Sequence, residues 1–224
     1  MSMYSSIASE FSETRSRNNI WHRVKLFLHK TVLPYSSIAD IGCGNGKYLT
    51  YMSSNESTFK KVQVVAVDVC KELLEIASER NPEAGCLLSS GTHLPFRDDT
   101  FDTVISIAVL HHILTIDQRK RFVEEFYRIL SPINGQGLIS VWALEQECPE
   151  KTLNKWRKIY NDVPGDYIVP WNGKVDRYYH LFTKAELVGL FEDLPGITIV
   201  DVVFEKSNWY IHIEKTGPTE PTMV

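Results

Sequence analysis

The residues best placed to do chemistry are the run Asp40-Ile41-Gly42-Cys43-Gly44-Asn45-Gly46 and, 22 positions after its last glycine, Asp68. The run falls between an apolar segment that ends at Ile41 and a helical stretch through Tyr48, Leu49 and Met52, so it reads as a strand-to-helix turn. Glycines let the backbone turn sharply and approach a ligand, with the N–H groups of the helix start facing it. Asp68 closes a second apolar run, where a carboxylate can accept hydrogen bonds from both hydroxyls of a ribose. Capping of the helix that follows, 71–80, is the plain structural use of Asp68 and is compatible with the first, but strand, glycine turn, helix, strand and terminal Asp together favour a nucleoside cofactor. The G-x-G-x-G spacing differs from the dinucleotide pattern G-x-G-x-x-G. Asp40 would repel a pyrophosphate, yet can pair with an ammonium directly or through water. Together these features favour an adenosine carrying an amino-acid tail, and leave a dinucleotide oxidoreductase as the weakest reading.

The elements that must hold these residues follow from periodicity. Five apolar runs, 37–41, 62–67, 85–89, 103–108 and 137–143, alternate with stretches of helical spacing, which predicts an α/β fold on a mostly parallel sheet. A helix is expected after Asp117 as its N-cap, with Phe122, Val123, Phe126, Ile129 and Leu130 on one face. Thr183-Lys184-Ala185-Glu186 has the form of a capping box opening another helix. Two last runs, 197–204 and 209–213, joined by Glu205-Lys206-Ser207-Asn208, predict an antiparallel hairpin at the end of the sheet. The domain expected is one unit over 1–215 with an N-terminal helical extension, and 216–224 as a flexible tail.

The chain has 224 residues, 43% of them hydrophobic and 23% charged, which suffices for a full core without disulfide or metal staples. It holds no run of eighteen apolar residues and does not open on a basic segment followed by an apolar one, so membrane and secretory readings are set aside. Cys43, Cys70, Cys86 and Cys148 are scattered, with no C-x-x-C pair, so no metal site is expected; free thiols fit a cytoplasmic location, with the nucleus as a second compartment. A net charge of -4 offers nucleic acid no global field, so any RNA path must be local. Two stretches qualify: 11–30 carries Arg15, Arg17, Arg23, Lys25 and Lys30 against Glu13, and 151–158 carries Lys151, Lys155, Arg157 and Lys158.

The glycine turn resembles motif I of the class I S-adenosylmethionine-dependent methyltransferases, whose Rossmann-like seven-stranded sheet ends in an antiparallel strand. Five longer segments resemble one branch of them, the eukaryotic tRNA wobble-uridine methyltransferases that esterify 5-carboxymethyluridine. These are Ile7-Ala8 with Phe11-Ser12-Glu13-Thr14-Arg15, the turn continued through Lys47-Tyr48-Leu49, Ser106-Ile107-Ala108-Val109-Leu110-His111-His112, Val141-Trp142-Ala143-Leu144-Glu145-Gln146, and Arg177-Tyr178-Tyr179-His180-Leu181-Phe182. Val169-Pro170-Trp171 and Asn208-Trp209 match as well. The run from Arg15 to Trp21 is longer than usual in that family, and the stretch from Trp171 to Arg177 is short where relatives often carry an insert.

The resemblance implies S-adenosylmethionine as cofactor, with Asp40, Gly42, Cys43 and Gly44 along its methionine part, Asp68 on the ribose and Val69 on the adenine. Ser90, beside Gly91, stands where the family places an acidic contact to the adenine amino group; Ser106 is expected at the ligand edge of the sheet. Arg15, His111, Arg177 and His180 are the expected catalytic set, gripping a carboxylate or a nearby phosphate. Trp142, Trp171 and Tyr178 would wall or stack a flipped base, with Glu145 as a further substrate contact or a surface pairing group. Tyr179 and Phe182 read as core. The implied partners are the tRNA anticodon loop and a small zinc-binding activator protein, docked on the apolar edge strand near Gly85-Leu88. A methyltransferase for a small-molecule carboxyl or hydroxyl group, and a non-catalytic S-adenosylmethionine-binding scaffold, are the alternatives.

Overall fold

The computed structural model describes residues 3–15, 19–159 and 164–217. A 3-10 turn leads into α1 (Ala8–Thr14), followed by α2 (His22–Thr31), β1 (Ser37–Ile41), α3 (Lys47–Ser53), β2 (Gln63–Asp68), α4 (Lys71–Arg80) and β3 (Gly85–Leu88). Then come β4 (Thr103–Ile107), α5 (Ile116–Arg128), β5 (Ile133–Trp142), β6 (Arg157–Lys158), β7 (Asp166–Trp171), β8 (Val175–His180), α6 (Lys184–Gly189), β9 (Ile197–Glu205) and β10 (Asn208–Thr216).

Seven strands form one sheet in the order β3-β2-β1-β4-β5-β10-β9. The strands from β3 to β5 are parallel, and β10 runs antiparallel to both β5 and β9, as expected. β1 and β4 are buried along most of their length because each face of the sheet carries a helix layer. Phe122, Val123 and Phe126 of α5 and Leu187 of α6 fill one side; Val24, Phe27 and Leu28 of α2 with Tyr48 and Met52 of α3 fill the other. The β9–β10 connection is a two-residue turn with both central residues, Lys206 and Ser207, at positive φ, the backbone that matches the twist of paired strands.

A second sheet, β6-β7-β8, is antiparallel and was not foreseen as a separate unit. It attaches where Ala143 bridges to Phe182, and β8 packs on the 3-10 turn Leu110–His112 that follows β4. The insert therefore stands over the carboxyl edge of the large sheet, where open α/β folds bind ligands.

Some boundaries differ from the sequence expectation. The N-cap of α5 is Thr115, whose hydroxyl accepts from the Gln118 N–H at 3.3 Å, and Asp117 lies in the first turn, placed for the helix dipole instead. The capping box at Thr183 and Glu186 forms as read. Thr216 is no loose tail: it pairs with Ile133 and donates its N–H to Gly196 O at 2.8 Å. Residues 218–224 and Arg17 lie outside the described part. Among the described residues no helix is long and apolar enough to cross a membrane, and no cluster of His, Cys, Asp or Glu could hold a metal ion.

Replacing the cap tests the corrected boundary. Thr115→Ala is expected to cost about 1 kcal/mol and lower the melting temperature by roughly 2–4 °C, whereas Asp117→Ala costs only a few tenths of that energy; thermal unfolding of both variants decides between the two positions.

Candidate active site

The glycine turn leaves β1 with Gly42, Gly44 and Gly46 all at positive φ. At Gly42 the demand is double, since φ is +80° and a Cβ would meet Val109 Cγ2 at 2.3 Å. At Gly44 a Cβ would meet nothing within 4 Å, so that face is open to the cavity. Asp68 holds the turn in place. One carboxylate oxygen accepts from the Gly44 N–H and the other from the Cys70 N–H, each at 2.8 Å, so the residue braces the turn and holds Cys70, the N-cap residue of α4, without itself capping the helix.

A cavity of about 640 Å³ lies over this turn. Its floor is Asp40, Gly42, Gly44, Ile107, Ala108 and Val109; one end is formed by Asp68, Val69, Ser90 and Gly91, and the other by His111, His112, Trp142 and Tyr179. Val69 is 63% exposed and offers a free apolar face at the first end. Ser90 is tied to Thr92 by a 2.8 Å hydroxyl pair, and Gly91 leaves room for the Phe122 ring, which a Cβ would touch at 2.3 Å. The N-terminal segment forms the roof through Tyr4, Phe11 and Arg15. Asn45, within the glycine turn, donates to Ser12 and to the Arg15 carbonyl, and thereby fastens α1 over the cavity.

The electrostatics of the floor point to a cation. Asp40 is 1% exposed, and its Oδ2 has no hydrogen-bond partner among the described residues. Burial first, and the nearby Asp68 carboxylate second, push its acid up to about 7. A buried carboxylate with a free oxygen beside an open glycine face is the receptor an α-ammonium needs, so the residues present fit S-adenosylmethionine. Cys43 lines the same wall; burial raises its thiol well above the usual range, so it acts as a small apolar surface.

At the far end the two histidines are neutral. Burial holds His111 well below its ordinary value and takes His112 down to about 4. Hydrogen bonds set opposite tautomers: His111 Nδ1 accepts the Trp142 N–H at 3.1 Å, and His112 Nδ1 donates to the Tyr178 carbonyl at 3.2 Å, while its Nε2 pairs with the Tyr4 hydroxyl at 3.0 Å. Arg177, 5% exposed, lies with its guanidinium 5.2 Å from the Tyr179 ring centre, and its Nε and Nη1 have no partner among the described residues.

Other expected site residues are elsewhere. Ser106 is fully buried in β4, with its hydroxyl donating to the Ile41 carbonyl at 2.9 Å, because strand alternation turns it away from the cavity that Ile107 lines. His180 and Tyr178 point to the opposite face of β8, where both donate to Asp166 Oδ1 at 2.7 Å. Glu145 is exposed and accepts from the Trp209 indole at 2.9 Å. Trp171 is buried against Phe11, with ring centres 6.3 Å apart. Tyr179, read as core, lines the cavity and stacks on His111 at 4.9 Å. Tyr4, Lys47 and His112 also line it; His112 carried a signal as the neighbour of His111 after the strand and Lys47 as part of the glycine-turn segment, while Tyr4 carried none.

A seven-stranded sheet ending in an antiparallel hairpin, with a G-x-G-x-G turn set between two buried carboxylates, defines a class I S-adenosylmethionine-dependent methyltransferase. The family described as a methyltransferase domain matches residues 39–136. Among solved structures, the fold is similar to a Burkholderia thailandensis 1,6-didemethyltoxoflavin-N1-methyltransferase holding S-adenosylhomocysteine, at TM-score 0.65, 18% identity and coverage of 95% of this chain and 84% of that one. It is also similar to a Haloferax volcanii methyltransferase in complex with the Trm112 methyltransferase activator, at TM-score 0.71, 16% identity and 98% coverage of each chain. In sequence it is 35% identical to the tRNA (carboxymethyluridine(34)-5-O)-methyltransferase of Schizosaccharomyces pombe, over 95% of this chain and 94% of that protein. The chain belongs to the tRNA (carboxymethyluridine(34)-5-O)-methyltransferase family. Six further relatives, matched at 30–41% identity, are longer proteins of which it spans 20–40%.

Asp40 makes cofactor affinity depend on pH with a definite sign. The free acid titrates near 7, and a bound ammonium favours the carboxylate, so affinity for S-adenosylmethionine falls as pH drops through about 7 and approaches a tenfold loss per pH unit. Asp40→Asn is expected to weaken binding by about ten- to a hundredfold at neutral pH and to flatten this dependence; calorimetric titration between about pH 5.5 and 7.5 reads both effects.

Proposed function

We propose that this chain transfers the methyl group of S-adenosylmethionine to the carboxylate of 5-carboxymethyluridine at the tRNA wobble position, giving the methyl ester. The observation that carries the reading is the charge pattern of the acceptor end. Among the described residues, the only carboxylates lining the cavity are Asp40 and Asp68, both at the cofactor end, while Arg15 lines it and Arg177, whose Nε and Nη1 have no partner among the described residues, is buried beside Tyr179. The histidines there are neutral, which burial favours over the charged base that deprotonation of an alcohol would create.

Such an end suits a nucleophile that arrives ionised. A carboxylic acid titrates at roughly 4, so at neutral pH its oxygen needs no general base. S-adenosylmethionine supplies an electrophilic methyl group on a sulfonium. The chain's own residues then orient the carboxylate and exclude water. Arg177 and Arg15 hold the acid or its phosphate, His111 and Tyr179 wall the base, and Trp142, stacked on Trp156 with ring centres 5.1 Å apart, extends that wall. Exposed Lys151 and Lys155, on the short turns before β6, offer phosphate contacts that the overall charge of -4 does not.

The activator reading has support of its own. β3 is an edge of the seven-stranded sheet, with Leu88 53% exposed, and a chain of the same fold forms a complex with an activator protein. Expressed alone, the chain is expected to be poorly soluble and to recover with the activator. Leu88→Lys is expected to weaken co-purification; a well-behaved monomer that gains nothing from the activator contradicts an obligate pair.

The acceptor is tested with three tRNAs that differ only at the wobble uridine, which carries a carboxymethyl, a carbamoylmethyl or no substituent. Methyl transfer to the acid alone is expected, and Arg177→Gln lowers kcat/KM for it by about ten- to a hundredfold with little change in affinity for the cofactor. Equal transfer to the amide, or full activity of Arg177→Gln, contradicts the reading.

A further inference from the structure

Behind the acceptor end, on the face of β8 turned away from the cavity, lies a buried polar cluster to which the proposed chemistry gives no part. Arg119 of α5 is 3% exposed. Its Nε donates to the Ile113 carbonyl at 2.9 Å, and its Nη2 donates to the Leu114 carbonyl at 3.1 Å and to the Tyr178 hydroxyl at 2.8 Å. The Tyr178 hydroxyl in turn donates to Asp166 Oδ1 at 2.7 Å, where His180 Nδ1 also donates, and the Arg119 and Asp166 charges are 3.8 Å apart.

Ile113 and Leu114 directly follow His111-His112, and both reach the cavity wall. The carbonyl of Tyr178 itself receives the His112 Nδ1 proton. One residue thus touches the histidine turn through its backbone and, through its hydroxyl, the guanidinium that holds the next two carbonyls. β8 alternation puts Arg177 and Tyr179 on the other face of the strand, where Tyr179 lines the cavity and the Arg177 guanidinium lies 5.2 Å from its ring centre.

We propose that Arg119, Tyr178 and Asp166 form a buried clamp that positions the His111-His112 turn against β8, and with it the acceptor end of the cavity. This assigns them as positioning residues, and it rests on the acceptor reading given above. A cluster that served packing alone would have no need to collect two successive backbone carbonyls of a cavity-lining turn with one planar fork. The clamp touches no part of the glycine turn, so it sets the acceptor end independently of cofactor binding.

The test uses the full chain, with the activator where solubility needs it, carrying isotope-labelled histidine. Tyr178→Phe keeps the ring and removes the hydroxyl; Arg119→Lys keeps a cation near Asp166 and loses the two-pronged grip. In each variant the His112 ring nitrogens are expected to leave the single Nδ1–H tautomer, and turnover on tRNA bearing carboxymethyluridine falls about tenfold or more. The dissociation constant for S-adenosylmethionine stays within about twofold of the wild type. Folded variants with unchanged tautomer and turnover overturn the clamp. So does a loss of cofactor affinity in step with turnover, which a general loosening of the fold would produce, and so does failure of both variants to fold. Absence of ester with the wild-type chain defeats the acceptor reading alone, since the histidine signals still decide the clamp.

Discussion

The structure depends on the tie between the first two strands made by the Asp68 carboxylate, which takes the Gly44 N–H on one oxygen and the Cys70 N–H on the other. The glycine turn runs from β1 into α3, and tied to the end of β2 it keeps the Gly44 face open toward the cavity, while a Cβ at Gly42 would meet Val109 and one at Gly46 would meet Ala77 and Asn81. The same tie puts two carboxylates close together in a buried place. Burial first, and the repulsion of Asp68 second, push the acid of Asp40 up to about 7, an arrangement that a bound cation relieves. Cofactor recognition here is thus stored as unsatisfied electrostatics and released on binding.

Everything at the acceptor end is built the other way round. Its histidines are neutral and already hydrogen-bonded to the backbone, and the charge beside them is the Arg177 guanidinium, with Nε and Nη1 unpartnered among the described residues. A site that has to remove a proton needs a base near its working pH; one that receives a carboxylate needs donors and a dry wall. In the proposed reading the two ends divide the labour, with negative charge for the cofactor's ammonium and positive charge for the acceptor. The N-terminal segment joins them, because Asn45 in the turn fastens Ser12 and Arg15 while Tyr4 reaches His112.

Much of this was legible beforehand. Strands of the large sheet announce themselves as β-branched runs, and the glycine turn with Asp40 and Asp68 is a local pattern whose geometry follows from residue type. The small sheet was not, because 157–180 mixes aromatic, charged and apolar residues without a clean period, and its meaning depends on register. One residue of parity exchanged Tyr178 for Tyr179 at the cavity, and another hid Ser106 behind Ile107. Tyr4, on the roof, is brought in by tertiary packing across more than a hundred positions, a distance at which sequence spacing carries no signal.

The account stands or falls on one atom, the carboxylate oxygen of the wobble nucleoside. Mass spectrometry of that nucleoside in total tRNA, from cells of the source organism with and without this chain, measures it directly. Loss of the methyl ester with accumulation of the free carboxymethyluridine, reversed by the wild-type chain and not by Asp40→Asn, is the predicted result. An unchanged ester in cells lacking the chain would contradict it.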